Sequence, residues 1–100
     1  MKPPFLLLFI GLFIGSAVFS QGTISGVVTD AETNEPLAGA SVFAQNTTKG
    51  TITDKEGKYT LTLARGGYEI IISYTGYSSR TINLADVTAD REFNIALQKG

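Results

Sequence analysis

One hundred residues allow a single domain, and 43% hydrophobic with 17% charged side chains is the composition of an ordinary globular chain. The formal net charge is −1 and Lys and Arg are scattered singly, so neither nucleic acid nor an anionic membrane surface is an expected partner. The absence of Cys and His removes disulfides, thiolate nucleophiles, imidazole bases and the commonest zinc ligands together, and no cofactor is expected.

The N-terminus reads as an export signal. Lys2 supplies a short positive region, and an apolar run from Phe5 to Phe19 follows, broken only by Gly11, Gly15 and Ser16. Val18 and Ser20 suit the −3 and −1 positions of a signal-peptidase site, which places cleavage after Ser20, with a second choice after Ala17. The alternative, an uncleaved membrane anchor, needs ~20 apolar residues, and this run is shorter. A lipoprotein anchor would need a Cys. The expected organisation is a signal peptide at residues 1–20 and one mature domain at residues 21–100. A domain of that size buries only about 60–65% of its unfolded surface. With no disulfide to staple it, its core or a neighbouring domain must hold it.

The mature chain alternates with period two. Ile24, Gly26 and Val28 share one face of a first strand, opposite Thr23, Ser25, Val27 and Thr29. Asp30 to Glu35 is a polar loop, Pro36 belongs to a loop or strand edge, and Gly39 marks a bend. Ala40, Val42 and Ala44 line a second strand, with Phe43 on its other face and in need of cover. Asn46 to Gly50 is a turn, and Thr51 to Thr53 a short third strand. Asp54 to Gly57 is a hairpin loop with Gly57 where φ is positive.

Tyr59, Leu61 and Leu63 face inward on a fourth strand, with Lys58, Thr60 and Thr62 in water. Arg65-Gly66-Gly67 is expected to be a tight connection. A fifth strand carries Tyr68, Ile70 and Ile72 on one side and Glu69, Ile71 and Ser73 on the other, and Gly76 bends the chain after it. Ile82 and Leu84 face inward on a sixth strand, Ala85 to Asp90 reads as a loop with room for one helical turn, and Phe93, Ile95 and Leu97 line the last strand. Seven short strands with a turn signal every eight to twelve residues predict an all-β sandwich or small barrel.

Four blocks in order resemble a known family: Gly26-Val27-Val28-Thr29-Asp30, Glu35-Pro36-Leu37-Ala38-Gly39-Ala40-Ser41-Val42, Gly50-Thr51-Ile52-Thr53-Asp54-Lys55-Glu56-Gly57-Lys58-Tyr59-Thr60-Leu61 and Ser73-Tyr74-Thr75-Gly76-Tyr77. Together they are similar to the carboxypeptidase regulatory-like domain over Thr23 to Leu97. The resemblance implies a seven-stranded, transthyretin-like (prealbumin-like) Greek-key β-sandwich. In metallocarboxypeptidases the similar module is an accessory beside the catalytic domain, so the resemblance implies no enzyme activity here. Similar modules behind a signal peptide also open TonB-dependent outer-membrane receptors of the SusC type in Bacteroidetes-like organisms. That implies export to the periplasm or outer membrane of a Gram-negative bacterium and a protein partner, a neighbouring plug and barrel or another envelope component. The chain reaches Leu97 to Gly100 where a linker to such parts would begin, as a fragment of a longer receptor or as a protein ending with the module.

The candidate sites are few. Asp30, Glu32, Asn34 and Glu35 begin like a calcium loop, but Glu35 stands where a Gly is needed and Ser41 where a bidentate Glu is needed, so a solvated turn is the better reading. Asp54 and Glu56 sit at a hairpin tip beside Lys55 and Lys58, where an Asp caps its own turn rather than working as an acid or base. Asn46-Thr47-Thr48 matches a glycosylation sequon, which in a bacterial setting is a chance match. Thr47 to Gly50 and Arg65-Gly66-Gly67 lead into no helix and offer no phosphate site. Phe43, Tyr74 and Tyr77 remain as a ligand platform for a sugar ring, weighed against Tyr77 as a core residue placed by the bend at Gly76. Three functions follow as expectations: a non-catalytic envelope interaction module at the head of a TonB-dependent transporter, a carbohydrate-binding sandwich, or an accessory domain of an envelope carboxypeptidase. Exposed edge strands, looked for at the first and last strands, would take the partner.

Overall fold

Period-two alternation builds eight strands in the computed structural model, which describes residues 21–100. They are β1 (Gln21–Asp30), β2 (Ser41–Ala44), β3 (Gly50–Ile52), β4 (Lys58–Ala64), β5 (Gly66–Ser73), β6 (Arg80–Val87), β7 (Arg91–Glu92) and β8 (Ile95–Leu97). The expected signal peptide and its cleavage after Ser20 lie outside the described residues. No helix occurs among the described residues.

The strands form two sheets. One runs β4-β1-β7 with β8 also on β1, and the other runs β3-β2-β5-β6. The chain crosses between them after β1, β3, β4 and β6, so β1 takes β4 and β2 takes β5 as antiparallel neighbours, the non-sequential pairing of a Greek-key sandwich. Ile24, Val28, Leu63 and Leu97 from one sheet meet Val42 and Ile72 from the other, all less than 2% exposed. β4 shows why: its burial alternates strictly, with Tyr59, Leu61 and Leu63 inside and Lys58, Thr60 and Thr62 outside.

Four expectations are corrected. The last predicted strand is two short ones, because Phe93 and Asn94 leave the ladder between β7 and β8. Ala85 to Val87 is strand rather than loop: Val87 is buried at 2% and pairs with Gly66, and only Thr88 to Asp90 connects β6 to β7. Gly66 and Gly67 open β5 instead of forming a connection, and Arg65 alone turns the chain. Gly66 can do this because its φ is 148°, and the register then shifts between Gly66 and Tyr68. Finally, β1 is not an edge; it lies between β4 and β7/β8. The edges of the two sheets are β4 and β7/β8, and β3 and β6.

The break at Phe93 and Asn94 is a built feature. Both halves keep one register, Ile24 opposite Arg91 and Val28 opposite Ile95. Between them the Phe93 amide donates to the Ser25 carbonyl at 2.8 Å, and the Asn94 side-chain oxygen replaces a backbone acceptor for the Val27 amide at 3.0 Å. The Phe93 carbonyl turns inward and accepts the Tyr59 hydroxyl at 2.6 Å. Gly26 makes the room: a Cβ there would stand 1.8 Å from the Phe93 oxygen. Burial, then the carboxylate of Glu92, pushes the Tyr59 hydroxyl up to about 12, so it stays a donor. Tyr59→Phe is expected to lower stability by about 1–3 kcal/mol, read from the midpoint of urea unfolding, since it leaves that carbonyl unpaired.

Thr53 is a second lock, not foreseen in a strand of three residues. It is 5% exposed; its hydroxyl donates to the Leu37 carbonyl at 2.6 Å and accepts the Ala40 amide at 2.8 Å. The Pro36–Gly39 crossover is thereby tied to the connection that leads into β4.

Candidate functional site

The acidic loop after β1 is organised inward. Asp30 closes the buried face of β1 and is 4% exposed. One carboxylate oxygen accepts the Glu32 and Thr33 amides at 2.7 and 3.1 Å; the other accepts the Tyr77 hydroxyl at 2.5 Å. Glu32, Asn34 and Glu35 point to solvent, and Asn34 turns the chain at φ 63°. The four oxygen residues therefore do not converge. Among the described residues no group of three or more Asp and Glu side chains is placed to share a metal ion.

This bond fixes Tyr77 at the end of the sandwich. Its ring lies 5.5 Å from that of Tyr74, tilted by 59°, and both pack on the core. The Tyr77 hydroxyl holds the Asp30 carboxyl below its ordinary value of 3.8, helped by the Glu32 and Thr33 amides and opposed by desolvation. Asp30 in turn pushes Tyr77 up to about 12. A lowered carboxyl contributes its full stability above 3.8 and loses it as pH falls through the lower folded value. Asp30→Asn is expected to be less stable at neutral pH and to show a flatter acid limb in a plot of urea midpoint against pH.

The other loops are self-satisfied. The Asp54 carboxylate accepts the Glu56 and Lys58 amides, each at 2.9 Å, and its pKa is lowered mainly by the Lys58 amide. Glu56 pairs with Lys58 at 3.7 Å in full solvent. In Asn46-Thr47-Thr48, the Thr47 hydroxyl donates to the Ala44 carbonyl and accepts the Lys49 amide. No buried side-chain nitrogen or oxygen among the described residues lacks a partner.

Phe43 lies apart from the two tyrosines. It projects from the outer face of the β3-β2-β5-β6 sheet, 37% exposed, opposite Gly50 on β3 and Ile71 on β5. A Cβ at Gly50 would meet the Phe43 ring at 2.6 Å, so the ring leans over the glycine. Tyr74 and Tyr77 are brought together at the sheet end; Phe43 does not join them. Ile52, 61% exposed, extends the apolar part of the outer face.

Two features of this sheet were not foreseen. β6 is an eight-residue edge strand, and among the described residues no backbone hydrogen bond joins its far side to anything. It carries no proline, and its only charged residues, Arg80 and Asp86, stand near its ends, so Thr81 to Ala85 has none of the usual guards against strand addition. Beside it the outer face bears a polar row: the Gln45 amide donates to the Glu69 carbonyl, and Glu69 pairs with Asn83. Which residues share a row depends on cross-strand register, which alternation within one strand does not encode.

Residues 24–99 match the family described as CarboxypepD_reg-like domain. No curated protein matches the chain. Among solved structures, a chain of a type II cohesin–X-dockerin complex of Acetivibrio cellulolyticus, an N-terminal interface mutant, is 31% identical over 79% of this chain and 58% of that one, with a TM-score of 0.67. A 3-chlorocatechol 1,2-dioxygenase of Rhodococcus opacus is 16% identical over 85% of this chain and 62% of that one, with a TM-score of 0.63. A candidate carbohydrate-binding protein of Bacteroides uniformis is 13% identical over 76% and 40%, with a TM-score of 0.57. The last two share the fold alone. This chain spans less than two thirds of the length of each of the three.

Proposed function

Because the chain belongs to the carboxypeptidase regulatory-like domain family, we propose that it is a non-catalytic interaction module of the bacterial cell envelope. In this reading it is exported by residues 1–20 and serves as the N-terminal domain of a TonB-dependent outer-membrane transporter. It acts by offering the free edge of β6 to a strand of its partner, either the plug and barrel that follow or another envelope protein.

The observation that carries the reading is the unguarded edge of β6. Its main-chain groups supply affinity, and the alternating outer side chains Thr81, Asn83 and Ala85 supply selectivity. The relative at 31% identity belongs to a complex of protein modules, which is in keeping with an assembly role. The catechol dioxygenase likeness is one of fold and brings no activity with it.

The test is photocrosslinking in the native envelope. A photoreactive residue at Thr81, on the outer face of the edge strand β6, is expected to give a discrete adduct whose partner peptide maps to an extended segment. The same residue at Thr29, on β1, which has a strand on each side, is expected to give none. Equal labelling from both positions, or none from Thr81, would contradict the proposal. The reading frame beyond Gly100 is expected to encode a plug and barrel.

A further inference from the structure

The outer face of the β3-β2-β5-β6 sheet carries a second chemistry beside the main-chain edge that strand addition uses. At the end of β5 and β6 the side chains on this face shrink to Gly67 and Ala85 and leave a shallow groove of about 590 Å3. The Asn46-Thr47 turn walls one side, and Tyr68 enters from the end. Gly67 is required: a Cβ there would stand 2.9 Å from the Ala85 carbonyl, so the two strands run bare and close at the floor. The volume lies within the roughly 300–1,000 Å3 of small-ligand sites.

Gln45, just past β2, Glu69 on β5 and Asn83 on β6 stand side by side along this groove, from three neighbouring segments of the sheet. All three are exposed, and among the described residues none of their side chains has a hydrogen-bond or salt-bridge partner. Two amides and a carboxylate in one row offer paired donors and acceptors in planar groups, without a net field strong enough to select a cation or anion. Two residues along the strands, about 7 Å away, the same face becomes apolar at Phe43 and Ile71. Tyr68 borders the groove from the buried side of β5, its ring packed on the core and its hydroxyl donating to the Ala64 carbonyl at 2.8 Å.

We infer that this groove is a binding site for a neutral saccharide. Adjacent hydroxyls of one sugar unit are donors and acceptors at once and pair with Gln45, Glu69 and Asn83. The apolar C–H face of a neighbouring unit packs on Phe43. A peptide strand would bind chiefly through the main-chain edge of β6, and the row holds a single carboxylate, with no group of three acidic side chains among the described residues to hold a metal ion. Phe43 thus takes part in a ligand surface, but with Gln45, Glu69 and Asn83 rather than with Tyr74 and Tyr77.

The test is affinity electrophoresis of the chain in gels cast with laminarin, galactomannan, xylan or dextran. At least one polysaccharide is expected to retard it. Glu69→Ala and, separately, Asn83→Ala should each weaken that retardation on the order of tenfold, with unchanged far-ultraviolet circular dichroism and thermal midpoint. Tyr77→Phe, away from the groove, should leave it in place. The binding oligosaccharide should shift the amide resonances of Gln45, Glu69 and Asn83. No retardation by any of the four, or retardation that both alanine variants retain, overturns the inference. The Thr81 crosslink is read independently, so failure here leaves strand addition standing.

Discussion

Replacing Gly26, on the buried face of β1, by valine is expected to destabilise the domain severely. A Cβ at that position would lie 1.8 Å from the Phe93 oxygen and 2.6 Å from its carbon, and both are backbone atoms that no rotamer change can move. The chain must push β7 and β8 off β1, which breaks the Phe93 amide bond to Ser25, the Asn94 bond to Val27 and the Tyr59 bond to the Phe93 carbonyl together. The expected loss is about 3 kcal/mol, a fall of roughly 15 °C in thermal midpoint for a domain of this size. Thermal unfolding followed by circular dichroism checks it. A midpoint within a few degrees of wild type would show that β7 and β8 do not depend on this glycine.

Ile72→Ala is expected to have an effect of at least that size. Ile72 is fully buried near the end of β5, between Val42 on β2 and Arg80 on β6. Removing it leaves a cavity where the two sheets interdigitate, with an expected cost of about 3–4 kcal/mol. Ile52→Ala is the matched control. Ile52 is 61% exposed on the outer face, and the same truncation there should change stability by less than about 0.5 kcal/mol. Urea midpoints for the pair separate inner face from outer face directly. Equal losses at Ile72 and Ile52 would mean that the outer face is itself covered.

Much of the fold is readable in single strands. The alternation of Ile24 and Val28, of Tyr59, Leu61 and Leu63, and of Ile70 and Ile72 assigns each to the buried face. Gly39, Gly57 and Gly76 take φ values of 89, 75 and 88° at three bends that sequence placed there. These are local properties, fixed by Cβ geometry and turn sterics.

What could not be read is what depends on another strand. That β1 lies inside its sheet, and is no edge, follows from a parallel pairing with β7 and β8 more than sixty residues away. The split at Phe93 and Asn94 arises because one asparagine side chain stands in for a carbonyl, which no periodicity reports. Asp86 interrupts the alternation, so the sequence reads Val87 as loop, yet its partner Gly66 and the space beside Gly22 draw it into the sheet. The polar row follows the same rule: Gln45, Glu69 and Asn83 are far apart in sequence and adjacent only once β2, β5 and β6 are in register. For Tyr77 the sequence allows a ligand platform or a core role; its bond to buried Asp30 fixes it at the sheet end.

Residue-resolved amide hydrogen exchange on the purified chain tests most directly the claim that two stacked sheets hold the fold while β6 leaves one edge open. The amides of β1 and β5, each flanked by strands on both sides, should exchange slowest. Along β6 slow and fast amides should alternate, the fast ones facing outward. Uniform protection along Thr81 to Ala85, or rapid exchange throughout β1, would contradict the account.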